Sequence, residues 1–567
     1  MANGMGSLMV GATGLRSSQT ALNTTAHNLS NVNTEGYTRQ QITFADSTYA
    51  NVFSKSLNKG KYGLGVDIDA ISRIRNEFID RSYRTESSRL GFYESQANAV
   101  YEVEDWFGEM QGVTYQEHIT NLYNAVNELT KNPTSTIARS SLIQNATAFI
   151  DRSEAIYSGL KDYQVTLNTE VNNMVEKINS LGQKIYNLNK GIVKVEAEGV
   201  ERANDLRDSR DLALDELSKY IDIDYYETKD GEVIVSAENV PFITKNDIAK
   251  MSVREEGTYG LLIPQWEGYQ QDVYNFDKQA NNANDTDKGK LKGLLIARGV
   301  IEVNYKDIPV MPERADYDLT TEQGMAEYNS AMDAYQQKQD YYNKYIEPSA
   351  ILSAIAGFDK LVNGIVTAMN DVLCPETTMN TTKELTDADG NILKAEKYVY
   401  NASAHDVLYD SHGNAVAGKE NGDGTYSYEA SEKLYVDANQ EETENIDSMT
   451  YKILDMSKAG YGMDDDETRG VELFKRNGTD RYKQITGADG STIYVRNNLN
   501  VTGFETDYTL GNLIVNPKAS QNVGTLPLST EHGKEDFSKV NELIDTFSKK
   551  FASLNPENYA KADFNTF

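Results

Sequence analysis

The sequence predicts an α+β multidomain protein: a long helical bundle or coiled-coil rod formed from N-terminal and later segments, with mainly-β domains inserted in it. Three observations predict this. A chain of 567 residues is too long for one ordinary core. An apolar series in alternating three- and four-residue steps runs from Ile143 to Val195. The period then switches twice to strand-like alternation marked by Asp-Gly turns, once after Ile221 and again after Cys374.

The first element is a short heptad helix. Met5, Leu8, Ala12, Leu15, Gln19, Leu22, Ala26 and Leu29 make a seam for another helix rather than a surface for water. Asn31, Asn33, Thr34 and Gly36 then break it, because Asn and Thr side chains compete for backbone hydrogen bonds and Gly36 permits φ > 0. A second helix is expected over Glu77–Met110, with Leu90, Tyr93, Ala97, Val100 and Phe107 in register, and a third over residues 114–131, ended by Asn132-Pro133.

The long series gives a helix of roughly 80 Å at 1.5 Å per residue. Its inner positions Ile178, Leu181, Ile185, Leu188 and Ile192 are the expected rod core. Gly159, Gly182 and Gly191 leave open an alternative of several shorter helices. A further helix opens with acidic groups in its first turn at Asp205 and Asp208 and runs through Leu217.

Lys229-Asp230-Gly231 before Val233 and Val235 marks a hairpin. Helix returns over residues 322–373 with a stripe of Ile355, Phe358, Val362, Ile365, Met369 and Val372. Asp389-Gly390, His412-Gly413, Asp423-Gly424 and Asp489-Gly490 then punctuate a larger β region, and residues from Asp536 to Phe551 turn helical again. The expected organisation is 1–60 as a terminal assembly helix and turn, 61–222 as a long helical rod domain, and 223–287 as a small β segment. Residues 288–374 are returning rod helices, 375–532 an inserted β domain, and 533–567 a helical return segment cut short.

A net charge of −31 argues against a nucleic-acid partner, since phosphate binding needs clustered Lys and Arg. The single Cys374 excludes an intrachain disulfide and any site built from several cysteines. No stretch of about 18 apolar residues is present to span a membrane. Residues 1–30 lack the basic start and apolar core of a secretory signal. His27, His118, His405, His412 and His532 fall in no metal-binding spacing. Asp387, Asp389 and Asn391 read as a hairpin turn rather than half a calcium loop, because Tyr398 stands where the closing Glu belongs. Asp464–Glu467 reads as a solvated acidic loop. No catalytic motif, cofactor site or metal site emerges, and the chain is not expected to be an enzyme.

Residues 28–40, with Asn28, Asn31, Asn33, Thr34, Gly36, Tyr37, Arg39 and Gln40, resemble the N-x-x-N-x-N-T-P-G-Y-[ST]-R-Q signature of flagellar rod, hook and hook-associated proteins, with Glu35 in place of the proline. Gly65–Ile68, the run Ala203–Asp211, Gly289–Leu295 and the helix Phe358–Leu373 are similar to the hook–filament junction members of that family. The resemblance covers residues 1–310 and 350–373; residues 375–532 resemble nothing placed.

That resemblance implies a structural subunit connecting hook to filament. It would be exported unfolded without a cleaved secretory signal and assembled on the hook tip as a ring of about one helical turn of its own copies. Implied partners are hook subunits, the next junction protein and an export chaperone for the family's C-terminal helix, with no cofactor. The family's C-terminal helix pairs with the N-terminal one, and no such segment stands in this sequence. The Met5–Leu29 seam is therefore expected to be unordered in the free protein, or packed on a neighbouring chain. Arg39 is a candidate for an intersubunit ion pair. Two other readings remain: a hook or distal rod protein, and an adhesin or enzyme carried by residues 375–532. In the latter, Tyr398, Tyr400, Tyr426, Tyr428 and Tyr435 would stack on glycans, against the plainer reading of ordinary sheet composition.

Overall fold

The computed structural model describes residues 2–52, 60–108, 114–197, 202–257, 260–276, 280, 282–320, 322–402, 408–410, 415–416, 418–420, 425–436, 446–487, 490–497, 507–548, 550–552 and 564–566. The chain divides into two compact units. One comprises residues 1–102, 163–301 and 344–351; the other comprises 103–162, 302–343 and 352–567.

The first unit opens with helix α1 (Ala2–Ser30) and a long antiparallel hairpin. The hairpin pairs β1 (Gln40–Asp46) with β4 (Val66–Arg73) and, further out, β2 (Tyr49–Val52) with β3 (Gly60–Gly63). Helix α2 (Glu77–Phe107) follows, and helix α3 (Tyr115–Leu129) belongs to the second unit. Helix α4 (Thr136–Glu196) is one uninterrupted helix of 61 residues and contributes to both units.

In the first unit the α4 seam is filled: Leu167, Val171, Met174, Ile178, Leu181, Ile185 and Ile192 are buried, Leu188 is half-buried and Val195 is exposed. The three glycines are notches for neighbours rather than breaks. A Cβ on Gly182 would lie 2.5 Å from the Phe242 ring, and one on Gly191 would lie 3.2 Å from Leu206. In the second unit a Cβ on Gly159 would lie 2.5 Å from Trp106.

The neighbours of α4 in the first unit include sheets as well as helices. Helix α5 (Asn204–Tyr220) leads into the sheet β5 (Ile223–Glu227), β6 (Val233–Ala237) and β7 (Val240–Ile243). A second sheet follows, of β8 (Met251–Glu256), β9 (Leu261–Trp266) and β10 (Gln271–Asp272), and then helix α6 (Lys290–Arg298). Three asparagines on α4 fasten these sheets, because a side-chain amide can pair with one backbone N–H and one C=O as a neighbouring strand would. The Asn189 Nδ2 donates to Val233 O at 2.8 Å and its Oδ1 accepts from Val233 N–H at 3.1 Å. Asn179 does the same with Met251, at 2.8 and 2.9 Å, and Asn168 spans Gly260 O and Leu262 N–H, at 3.0 and 2.8 Å.

Helix α2 corrects the expected face. Leu90, Tyr93, Ala97 and Val100 are exposed in the unit, whereas Ser87, Ser88, Gly91, Phe92, Ser95 and Ala99 are buried. The small residues win because they let backbones meet: a Cβ on Gly91 would strike the Lys219 carbonyl, and one on Gly293 would lie 2.5 Å from the Phe92 carbonyl.

Helices α7 (Glu322–Tyr345) and α8 (Ala350–Leu373) lie mostly in the second unit, and the link between them, with Pro348, belongs to the first. The α8 stripe is buried from Ile355 to Val372, and Phe358 meets Phe107 and Tyr115 edge-on at 5.2 and 4.9 Å. The main β region is an antiparallel sheet built on β11 (Glu376–Thr381), β12 (Lys397–Ala402), β15 (Lys419–Glu420), β16 (Tyr426–Ala430), β17 (Ile446–Leu454), β19 (Tyr482–Thr486) and β20 (Thr492–Arg496). The short strands β13 (Leu408–Tyr409) and β14 (Ala415–Val416) pair apart from it. The strands β18 (Phe474–Arg476) and β21 (Leu513–Val515) pair separately. There, Asn370 of α8 repeats the asparagine device, donating to Phe474 O at 2.7 Å and accepting from Phe474 N–H at 3.1 Å.

Two expectations for this region are settled. Tyr398, Tyr400 and Tyr428 are buried in the sheet's own core with Leu408, Leu434 and Met449, so their faces are not offered to a glycan; Tyr426 and Tyr435 are half-buried. Asp387 closes a turn, accepting from Asp389 and Asn391 N–H, with Gly390 at φ +84. The His412-Gly413 and Asp423-Gly424 signals and Asp489 lie outside the described residues. After the short helix α9 (Pro517–Gln521), helix α10 (Phe537–Ser548) ends earlier than expected. Lys550–Ala552 and Phe564–Thr566 pair as strands, so the expected helical residues Lys550 and Phe551 are in a strand instead.

Gly182→Val is expected to destabilise the first unit by about 1–3 kcal/mol, because Phe242 is fully buried and tilted against Trp266 and has no room to yield. Gly191→Ala is expected to be near neutral, since helix propensity offsets a milder contact. Urea midpoints compare the two; equal shifts would refute the notch reading.

Candidate functional site

The seam of α1 faces outward. Leu8, Leu15, Leu22 and Leu29 are 77, 73, 71 and 74% exposed, and Ala12, Gln19 and Ala26 are exposed with them. Met5 lies in the same helix, and its side chain is outside the described residues. The side that α1 turns to the hairpin is polar. Thr13 Oγ1 donates to Leu64 O at 3.5 Å, and Ser17 Oγ to Val66 O at 3.4 Å. Gly65, at φ +114, is required there because a Cβ would strike Thr13. The helix is thus seated on its own hairpin through polar groups, with its apolar face exposed.

The turn motif locks the end of α1. Asn28 Oδ1 accepts from Gln40 N–H at 2.9 Å and from the Tyr37 hydroxyl at 2.7 Å, and its Nδ2 donates to Gln40 O at 2.9 Å. The Tyr37 oxygen is then left to accept from His27 Nδ1–H at 3.0 Å. Asn31 Nδ2 donates to His27 O, and Thr34 Oγ1 to Asn31 Oδ1. Gly36, at φ +80, packs its backbone on Leu212, where a Cβ would lie 3.1 Å away; Asn33 is exposed. Arg39 is exposed and makes no ion pair among the described residues, while its carbonyl accepts from Ile74 N–H at 2.9 Å.

Helix α5 receives this segment. Asp208, Asp211 and Asp215 recur at one-turn spacing along one face. Thr38 N–H donates to Asp208 Oδ2 at 3.1 Å, and Arg73 Nη1 lies 2.7 Å from Asp208 and 2.8 Å from Asp211. Arg75 reaches Asp211 and Asp215 at 3.5 and 3.4 Å, and the buried Arg84 reaches Asp215 at 2.7 Å and Asp211 at 3.5 Å. Burial alone would raise the Asp211 carboxyl, yet Arg75 and Arg73 hold it below the usual range. Asn204 Nδ2 donates to Ile71 O at 2.9 Å.

The other side of α5 grips the rod and the first β turn. Arg207 lies 2.8 Å from Glu196 and 2.6 Å from Glu227, and its bonds hold the Glu196 carboxyl at about 2. Arg210 donates to Gly231 O at 2.6 Å and to Asn189 Oδ1 at 3.1 Å.

Sequence reasoning found the Ala203–Asp211 run but gave its charges only a helix-end role. It missed Arg73, Arg75, Arg84 and Asp215. The available signal was the Asp208, Asp211, Asp215 spacing, which leaves three carboxylates on one helical face in need of cations. Among the described residues no group of three potential metal ligands occurs, and Cys374 is buried, its thiol pushed up to about 12. His532 lies 3.3 Å from Glu467, and Asp464, three residues before Glu467, accepts from Thr468 N–H at 3.0 Å. His405 and His412 lie outside the described residues.

Two known families are similar to parts of this chain. Residues 100–331 match the flagellar hook-associated protein FlgK helical domain, and residues 8–38 match the flagella basal body rod protein family. The flagellar hook-associated protein 1 of Bacillus subtilis (strain 168) is 30% identical over 310 residues, which are 53% of this chain and 61% of the relative. That of Salmonella typhimurium (strain LT2) is 26% identical over 213 residues, 37% of each chain. The chain thus spans about three fifths of the first relative's length and under two fifths of the second's. The solved flagellar hook junction protein FlgK from Burkholderia pseudomallei aligns with 80% of this chain and 66% of its own, at 13% identity and a TM-score of 0.37. The fold is α+β and multidomain, with one long helix and several small sheets.

Proposed function

We propose that this chain is a structural subunit of the bacterial flagellum at the hook–filament junction, seated on the hook tip and connecting hook to filament. The observation that carries the reading is the empty apolar seam of α1, held outward by a polar seat. An ordinary core helix buries such a seam, whereas a helix meant for an assembly presents it. The relatives named above are hook-associated proteins 1, and the family to which residues 100–331 are similar is structural rather than catalytic.

In this reading the protein works outside the cell, after export without a cleaved signal. Its own copies form the ring, hook subunits lie below and the next junction protein above. The seam takes a heptad helix in the tube wall, and an export chaperone is a partner where the family's C-terminal helix is present. The mechanism is mechanical: α4 runs as one helix from the second unit to the first, so load is distributed over many small contacts. The chain needs no cofactor for this. The glycan-stacking alternative loses Tyr398, Tyr400 and Tyr428 to the sheet core.

Leu15→Asp combined with Leu22→Asp tests the reading. Both side chains are exposed, so the free subunit is expected to keep its circular dichroism and urea midpoint within about 0.5 kcal/mol. Capture on purified hook tips is expected to be lost. Undiminished capture would overturn the assignment of the seam to assembly.

A further inference from the structure

In the second unit, one carboxyl of α8 gathers two segments that are far from it in sequence. Asp359 is almost fully buried. Its Oδ2 accepts from Tyr305 N–H at 2.9 Å and its Oδ1 from Leu510 N–H at 2.7 Å, partners 54 and 151 residues away. One turn further along α8, Asn363 Nδ2 donates to Tyr508 O at 3.0 Å. Among the described residues no cation pairs with Asp359, because each one nearby is engaged elsewhere. Lys306 lies 2.5 Å from Asp507, and Lys360, the next residue of α8, is turned onto the Tyr305 ring at 5.8 Å. Lys338 of α7 faces Lys360, and Arg476 of β18 lies over the Tyr508 ring at 5.3 Å. The charges that do act on Asp359 from the two segments are like ones, Asp507 and Asp307, the latter accepting from Asn304 N–H at 2.8 Å.

We propose that Asp359 is a proton-operated clasp, which holds the Tyr305 and Leu510 segments on α8 more firmly when its carboxyl takes up a proton in mildly acid surroundings. A buried carboxylate without a cation is costly to keep charged. The neutral acid sheds that cost and still offers acceptor capacity to both N–H groups. Burial first, and then the Asp507 and Asp307 charges, push the Asp359 carboxyl up to about 6, against the pull of its two N–H bonds. A carboxyl raised in the fold contributes stability that is fully present below the ordinary carboxylate range and is lost as pH rises through about 6. This is the reverse of Asp211 and Glu196 in the first unit, whose carboxyls are lowered. Local opening is free to follow this one group, because regions of a protein open separately. The inference concerns the subunit itself and does not depend on the hook-tip reading.

Hydrogen exchange on the full chain tests it, with protection at each pH corrected for the intrinsic exchange rate. In the parent, peptides covering residues 304–308 and 508–512 are expected to gain about tenfold in protection between pH 7 and pH 5, as linkage to one raised carboxyl dictates. Peptides covering 482–496 are expected to keep theirs. Asp359→Asn has no proton to take up, and it is expected to remove the gain. Asp507→Asn keeps the clasp but deletes a like charge beside it, so the midpoint of the gain is expected to move to lower pH. That second variant carries the test should Asp359→Asn fail to fold. An equal gain in Asp359→Asn, lower protection at pH 5 than at pH 7 in the parent, a gain shared by 482–496, or a midpoint unmoved by Asp507→Asn would each overturn the proposal.

Discussion

Asp211→Ala is expected to cost the first unit about 3–5 kcal/mol, read as a lower urea midpoint, because it strips a shared carboxylate from three arginines at once. Arg84 suffers most. Its guanidinium is almost fully buried and would keep Asp215 alone as an anionic partner. Asp211→Asn keeps the shape and one acceptor, so it should lose less than Ala but still leave an excess of buried positive charge. The same joint gives a signed acid dependence. Asp211 and Glu196 both have carboxyls lowered in the fold, so their contribution is fully present above the ordinary carboxylate range and is lost as pH falls through the folded values, for Glu196 toward about 2. The unit should lose stability progressively below the ordinary range, and Asp211→Ala should flatten that slope. A cost under about 1 kcal/mol would show the ladder to be ornamental.

Arg481→Met is the second large effect, and it falls on the second unit. Arg481 is 3% exposed and sits 2.6 Å from Asp371, at the end of α8, and 2.9 Å from Glu376, at the start of β11. Glu376 also accepts from Arg496 at 2.7 Å and from the Tyr482 hydroxyl at 3.2 Å. Burial pushes the Glu376 carboxyl up, and Arg481 and Arg496 bring it below its usual value. Methionine fills the volume but leaves the excess negative charge, at a cost of about 3–5 kcal/mol. Because this knot ties α8 to three strands of the main sheet, proteolysis at the α8–β11 connection should accelerate. Arg481→Lys should recover only part of the loss, since an ammonium cannot fork to two carboxylates. An unchanged midpoint and cleavage rate would refute the knot.

Periodicity located nearly every helix, and for α4 it also gave the buried face, Ile178 through Ile192. It failed on α2, where the apolar register marked by Leu90, Tyr93 and Val100 is exposed and a serine–glycine face is buried. The reason is that apolar spacing reports where a helix seeks a partner, whereas burial within one chain depends on how closely backbones approach. Small residues such as Gly91 and Gly293 decide that approach. The joint around α5 was hidden for a related reason. Arg73 and Asp208 are 135 residues apart, and nothing local in either stretch names the other.

The sequence by itself determined the elements: the long heptad helix, the turn after α1, the hairpins at Gly231 and Gly390, and the likeness to hook-associated proteins. These follow from side-chain spacing and backbone preference, which act over a few residues. Only the tertiary structure decided which seams are filled and which are empty, that Tyr398 and Tyr400 serve a core, and that asparagines on α4 stand in for strands. Those outcomes depend on charges, amides and glycine notches that meet across the fold, where the balance of desolvation and pairing is set by the partner and not by the neighbour in sequence.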